Sequence, residues 1–312
     1  MKKVELPELS RLQRFIMKRH ESRPLMAATT LLWPRRLHRS FMSLTADEPL
    51  HWLRKKAAFT LSFDCDFVKD CQAFPEIVKL LKEYDIRASF AVVGLWVERY
   101  PDLHKLLVDG GHEIINHTYS HPDNEEINPG RKFRLISREE KKEEVERAHE
   151  IIADVLGVEV SGCRIPHFKD LFTPEIYGIL SELGYRFDSS TLMTGVAGGG
   201  RPFLAEEGIW EIPLTTCPKH PLTVLDTWHS LHVNHPFYKW SHDTPQEFCD
   251  LVDECLDSAL EFGGYVNLYI DPWDVPHLTG FARLLGRVRD RADELEQILY
   301  EELVDRLDGR SD

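Results

Sequence analysis

Two aspartates, two histidines and an arginine have the types and spacings from which a hydrolytic metal centre could be built. Asp64 and Asp66, in "LSFDCD", are separated by Cys65, so on an extended chain both carboxylates face one way and the thiol the other. Carboxylates that close repel when both ionise, unless a cation lies between them or one keeps a proton. His117 and His121, in "NHTYSH", have HxxxH spacing. Two neutral imidazoles with one carboxylate make a metal site that leaves positions open for water and substrate. Taken singly the signals are weak: HxxxH is common on loop and helix surfaces, Asp-x-Asp in turns, and a lone arginine such as Arg164 in surface ion pairs.

The elements around these residues place them together. From Ala57 onward, strands alternate with helices. Strands are expected at 57–63, 87–93, 112–115, 160–163, 185–187, 209–214 and 265–270, several of them near-continuous apolar runs. Helices are expected at 74–84 with Pro75 in the first turn, at 100–111, from the Ser137 capping box with Glu140 to Gly157, at 174–183, and from Thr244-Pro245 to Gly263. The segment 278–308 is apolar at helical spacings and is expected to pack outside. Repeated βα units of this length favour a barrel over an open sheet. In a parallel barrel the chemistry sits at the C-terminal ends of the strands. Five strands end there in Asp64/Asp66, His117/His121, Arg164 with His167, Asp188, and Asp271, and that convergence outweighs the weakness of each signal alone.

Composition narrows the rest. The 312 residues, 42% hydrophobic, can bury a substantial core. Net charge is −14, but residues 1–56 hold 13 Lys/Arg against 5 Asp/Glu, so the remaining body is strongly acidic. An acidic body argues against nucleic acid as a partner. The six cysteines form no CxxC pair, which fits reduced thiols and a cytoplasmic setting. "LMAATTLLW" (25–33) is too short to span a bilayer and lies far from Met1. The basic, apolar residues 1–50 suit either peripheral contact with an anionic membrane or an arm packed on the acidic body. "AGGGRP" (197–202) lacks the context of a nucleotide loop.

The segments "LSFDCD", "GHEIINHTYSH", "CRIPHF", "YRFDSS" and "GYVNLYIDPWD" resemble, in order, the five motifs of the polysaccharide deacetylase family, also called the NodB-homology group or carbohydrate esterase family 4. The resemblance spans roughly 57–274. It implies an α/β fold, a distorted (β/α)7 barrel, here over 57–275; charge and apolar spacing add a basic N-terminal extension (1–56) and a C-terminal helical segment (276–312). It also implies a divalent metal, most often zinc, and hydrolysis of an acetyl group on a sugar or glycan precursor, which the basic N-terminus would allow to be lipid-linked. Carried over by position, Asp64 is the general base, Asp66, His117 and His121 are metal ligands, and Arg164 orients Asp64 and holds its pKa low. The backbone N–H of His167 is an oxyanion donor, and Trp273 lines the substrate side.

One departure matters most. The fifth motif of the family ends in a histidine that protonates the leaving group, and here that position is Asp271. An aspartate could serve if burial against Trp273, or a neighbouring carboxylate such as Asp188, raised its pKa. Otherwise His229, His232 or His235 of "TWHSLHVNHP" could supply the proton. The remaining alternatives are a non-catalytic binding protein and a hydrolase of a non-sugar amide.

Overall fold

The apolar run after Lys56 forms the central strand of the computed structural model, which describes residues 9–46, 50–166, 175–233 and 244–310. Strand β1 (Ala57–Cys65) is buried along its whole length, as expected of a strand covered on both faces. On one side run the parallel strands β2 (Ser89–Val92), β3 (Glu113–Asn116), β4 (Gly162–Cys163) and β5 (Phe187–Asp188). Beyond them β6 (Phe203–Leu204) is antiparallel to β7 (Trp210–Glu211), which is parallel to β5. On the other side β1 pairs with β8 (Tyr265–Ile270). The Thr215 N–H donates to the Asn267 carbonyl at 2.9 Å, the Asn267 N–H to Thr215 Oγ1 at 3.0 Å, and the Asn267 side-chain amide to the Ile212 and Pro213 carbonyls at 3.0 and 3.2 Å, so bonds clustered at Asn267 rather than a strand ladder draw the two ends of the curved sheet together. The fold is an α/β distorted barrel.

Helices α4 (Val68–Glu83), α5 (Gly94–Arg99), α6 (Pro101–Asp109), α7 (Arg138–Leu156), α8 (Glu175–Glu182) and α9 (Pro245–Phe262) alternate with these strands. The Ser137–Glu140 capping box opens α7 and a left-handed Gly157 closes it; Thr244 caps α9 and Gly263 ends it. Several strands are shorter than expected, β7 most of all, helix α5 is not among those expected, and one helix boundary shifts by more than a turn. Helix α4 begins at Val68, because the Asp70 carboxylate accepts the Phe67 N–H at 2.8 Å and satisfies a donor that the first turn cannot. Pro75 therefore lies inside the helix, not at its start.

The C-terminal segment is not one external helix. After α10 (Phe281–Asp290) the chain forms β9 (Leu295–Gln297), which pairs with Ala57–Phe59 of β1. Strand β2 meets β1 only from Ser62 onward, and β9 satisfies the backbone groups that this would leave unpaired in a buried sheet. Helix α11 (Tyr300–Leu307) follows, and its first side chain is fully buried.

The N-terminal helices α1 (Arg11–Met17), α2 (Arg23–Leu31) and α3 (Pro34–Met42) pack on the body. Arg35 reaches Glu254 at 2.9 Å and Arg39 pairs with Glu261, both on acidic α9, while Ile16, Met26, Phe41 and Met42 join the core. The glycine-rich loop explains the close approach. A side chain at Gly199 (φ +63°) would lie 2.0 Å from the Phe41 carbonyl oxygen, so only glycine fits there.

Candidate active site

Arg164, immediately after β4, is fully buried and uses its whole fork. Nη1 donates to Asp64 Oδ1 at 2.5 Å. Nε donates to the Ser189 carbonyl at 2.9 Å, and Nη2 to Ser62 Oγ (3.0 Å), Ser189 Oγ (3.2 Å) and the Tyr300 hydroxyl (2.6 Å). A buried guanidinium is tolerable only when its donors are met in this way. The expected low pKa of Asp64 is corrected by its burial. Desolvation pushes the carboxyl up and outweighs the opposing pull of Arg164 and His117, leaving it above the usual range.

Asp66 follows β1, and its carbonyl is fixed by Trp96 Nε1 (2.9 Å) and Asn124 Nδ2 (2.8 Å). His117 follows β3, and its Nδ1 donates to the Arg164 carbonyl at 2.6 Å, an arrangement that leaves Nε2 as the electron-pair donor. His121 is brought back towards it by a loop whose Thr118 and His121 both have positive φ. Such backbone persists only when its surroundings hold it. Here Asn116 Oδ1 accepts the Thr118 N–H (2.7 Å), and Glu144 accepts the Ser120 N–H (2.8 Å) and hydroxyl (2.7 Å). Asp66 Oδ1 lies 3.1 Å from His117 Nε2 and 3.4 Å from His121 Nε2, and one ligand atom from each residue lies within 4.8 Å of the others. This donor set fits a divalent ion such as zinc, with Asp66 and the two imidazoles as ligands. Burial lowers the His117 pKa, but Asp64 and Asp66 overcome it and leave the net shift upward.

The rim beside this centre is acidic. Asp271 is buried and accepts the Thr227 hydroxyl at 2.6 Å. Burial pushes its pKa well above the carboxylate range, and Asp70, Asp226 and Asp66 add to the rise. Asp188 is not the neighbour responsible. It accepts the Ser190 hydroxyl at 2.7 Å, and its own raised pKa comes from burial and Glu211. The histidine-bearing stretch makes a π-helical turn, Trp228–His232. His229 Nδ1 lies 2.7 Å from Asp226 Oδ2, an oxygen that also takes the Tyr269 hydroxyl. His232 pairs with Asp274 at 2.9 Å and stacks on Trp273 with centroids 4.7 Å apart. Lys69 Nζ lies 3.4 Å from the Trp273 ring centre, and the Trp273 backbone N–H donates to Asp70 Oδ1 at 3.2 Å. His167 and His235 lie outside the described residues.

The sequence pattern of the polysaccharide deacetylases matches residues 54–187, the stretch that supplies Asp64, Asp66, both histidines and Arg164. These residues belong to the polysaccharide deacetylase family. A peptidoglycan-N-acetylglucosamine deacetylase of Bacillus cereus is 33% identical over 90 residues, 26% of this chain and 32% of that protein. The matched stretches span 22–38% of the length of the curated relatives. Among solved structures, a Mycobacterium smegmatis protein assigned to the polysaccharide deacetylases superposes with TM-score 0.67 at 19% identity, covering 84% of this chain and 94% of the other. The allantoinase Puue superposes with TM-score 0.65 at 13% identity, covering 85% and 95%. Both show the same fold.

Beneath these motifs, the barrel has a polar layer that the sequence did not reveal. Ser62, Ser189, Asn267 and Tyr300 form one network. Besides meeting Arg164, the Tyr300 hydroxyl lies 2.6 Å from Asn267 Oδ1 and 3.0 Å from Ser62 Oγ. Two signals were available: polar Asn267 interrupts the apolar run of β8, and Ser62 that of β1. Tyr300 carried none, since an aromatic in an amphipathic segment is ordinary core.

Proposed function

We propose that the chain is a metal-dependent hydrolase that removes an acetyl or similar acyl group from an amino sugar of a glycan or glycan precursor. The observation that carries this reading is the juxtaposition of the Asp66–His117–His121 donor set with a buried Asp64–Arg164 pair. A bound divalent ion, zinc by the donor set, would supply Lewis acidity to the acyl carbonyl and to water. Asp64 takes the proton from the attacking water, and its raised pKa makes it a better base than a solvated aspartate. Arg164 holds that carboxylate in one orientation. Asp188 supports the adjoining strand end through Ser190 and Glu211, and the backbone at His167 is proposed as the oxyanion donor.

Asp271 is proposed as the acid that protonates the leaving nitrogen. Its burial among carboxylates favours the protonated form, and Thr227 holds Oδ2, so Oδ1 is the oxygen that would carry the proton. A divalent ion at Asp66 would oppose that rise. The 2.7 Å contact with Asp226 makes His229 the second candidate, since a carboxylate behind an imidazole fixes its tautomer and orientation.

The Bacillus cereus relative's substrate supports an N-acetylglucosamine unit. The six buried free thiols and the basic N-terminal helices support a cytoplasmic setting with a lipid-linked precursor. Trp273, flanked by Lys69 and His232, is proposed as a wall of the sugar site.

The test is acetate release from N-acetylglucosamine oligomers, O-acetyl sugars and small amides by zinc-loaded protein, with Asp64→Asn as control. Turnover on an acetyl sugar that the control lacks is expected. No turnover on any of them with metal still bound would move the chain to the non-catalytic binding reading.

A further inference from the structure

Three of the large apolar side chains left in water are consecutive, where α2 gives way to α3. Leu31, Leu32 and Trp33 are 74%, 59% and 70% exposed, and Leu12 and Phe15 on α1 are also exposed. The other three in the described residues, Leu106, Leu135 and Trp228, are scattered through the barrel sequence. Single exposed apolar residues need no explanation, but three adjacent ones do.

The exposure is built in. Trp33 sits in the left-handed region (φ 51°, ψ 50°) with Pro34 opening α3, a conformation that a bulky side chain rarely adopts. It turns the chain between α2 and α3, while α3 is anchored along its length. Arg35 and Arg39 bind Glu254 and Glu261, Arg39 lies over Phe262 with 4.7 Å to the ring centre, and Phe41 and Met42 are buried. The elbow therefore stands on a fixed mount. Arg23 and Arg36, close to it in the chain, are exposed, as are Arg11, Arg14, Lys18 and Arg19 on and beside α1.

We propose that the Leu31-Leu32-Trp33 elbow docks on an anionic lipid bilayer, its three side chains entering the headgroup region and the flanking arginines meeting lipid phosphates. Charge favours this occupant. The segment up to Lys56 is basic on an otherwise acidic chain, so an anionic surface attracts the arm, repels the body and orients the molecule. A protruding apolar tip needs a matching cavity on a protein partner but none on a bilayer, and tryptophan favours the interface. No helix among the described residues is long and apolar enough to cross a membrane, so the contact is peripheral. The proposal does not depend on the catalytic reading.

The full chain is tested by co-sedimentation with phosphatidylcholine vesicles, alone and with about one-third phosphatidylglycerol. Binding to the anionic vesicles that weakens with salt is expected. Combined Leu31→Ser, Leu32→Ser and Trp33→Asn should lower partitioning about tenfold or more, with an unchanged circular dichroism spectrum; asparagine is chosen because it tolerates the left-handed backbone. Arg36→Glu, which reverses a charge, should weaken binding about fivefold or more. Equal partitioning of wild type and triple variant, or no binding of wild type to anionic vesicles, would overturn the proposal. A dimer seen by light scattering, lost in the triple variant and unaccompanied by vesicle binding, would assign the elbow to self-association and overturn it too.

Discussion

Arg164 and Tyr300 meet at 2.6 Å although 136 positions separate them, and the same guanidinium holds Asp64 at 2.5 Å. The C-terminal segment thus reaches the underside of the proposed base. Asp64 touches a guanidinium whose position depends on Ser62, Ser189 and Tyr300, so disturbance at any of them should be felt at the carboxylate.

Tyr300→Phe keeps the ring and removes one partner from a buried cation. A stability loss of about 1–3 kcal/mol is expected. Deacetylation should lose about 10- to 100-fold in kcat with KM little changed, because Asp64 is misaligned rather than substrate binding weakened. Urea unfolding and steady-state kinetics measure the two effects. Lower stability with full kcat would restrict Tyr300 to the fold.

Metal analysis tests the donor set directly. Purified protein should hold one divalent ion per chain, lost in Asp66→Ala and in His121→Ala and retained in Asp64→Asn, since Asp64 faces Arg164. Chelation should abolish turnover, and zinc should restore it. Unchanged metal content in both ligand variants would refute the assignment.

The proton donor can be identified from pH profiles. If Asp271 is the acid, kcat should fall as pH rises through its elevated pKa, and Asp271→Asn should cost about 10²- to 10⁴-fold. His229→Gln would then be mild. If His229 is the donor the two variants exchange behaviour, and comparable kcat in both would exclude each as sole acid.

His104 is buried and neutral. Its pKa is lowered to about 4 by desolvation, although its Nδ1–H donates to the Tyr100 carbonyl at 2.9 Å. Unfolded, it titrates near 6.5, so between these values the unfolded chain binds more protons. The contribution is complete above 6.5 and lost as pH falls towards 4, at most about 3 kcal/mol. His104→Gln should be less stable at pH 7 yet lose less on acidification, as read from urea midpoints. Parallel pH curves would rule out this protonation.

Much of the scaffold was legible because its signals act over short distances along the chain. The Ser137–Glu140 box, the left-handed Gly157 and Gly263, and the buried run of β1 depend on neighbours a few residues away. The gathering of Asp64, Asp66, His117, His121 and Arg164 followed from strand ends sharing one rim. Other features required the folded molecule. Asp70 starts α4 early and, with Asp226, surrounds Asp271 in place of Asp188; β9 enters the sheet; Tyr300 reaches Arg164. The direction of the Asp64 pKa also depended on it, because an arginine's attraction can be anticipated from a motif, whereas the opposing cost of desolvation depends on how completely distant segments exclude water.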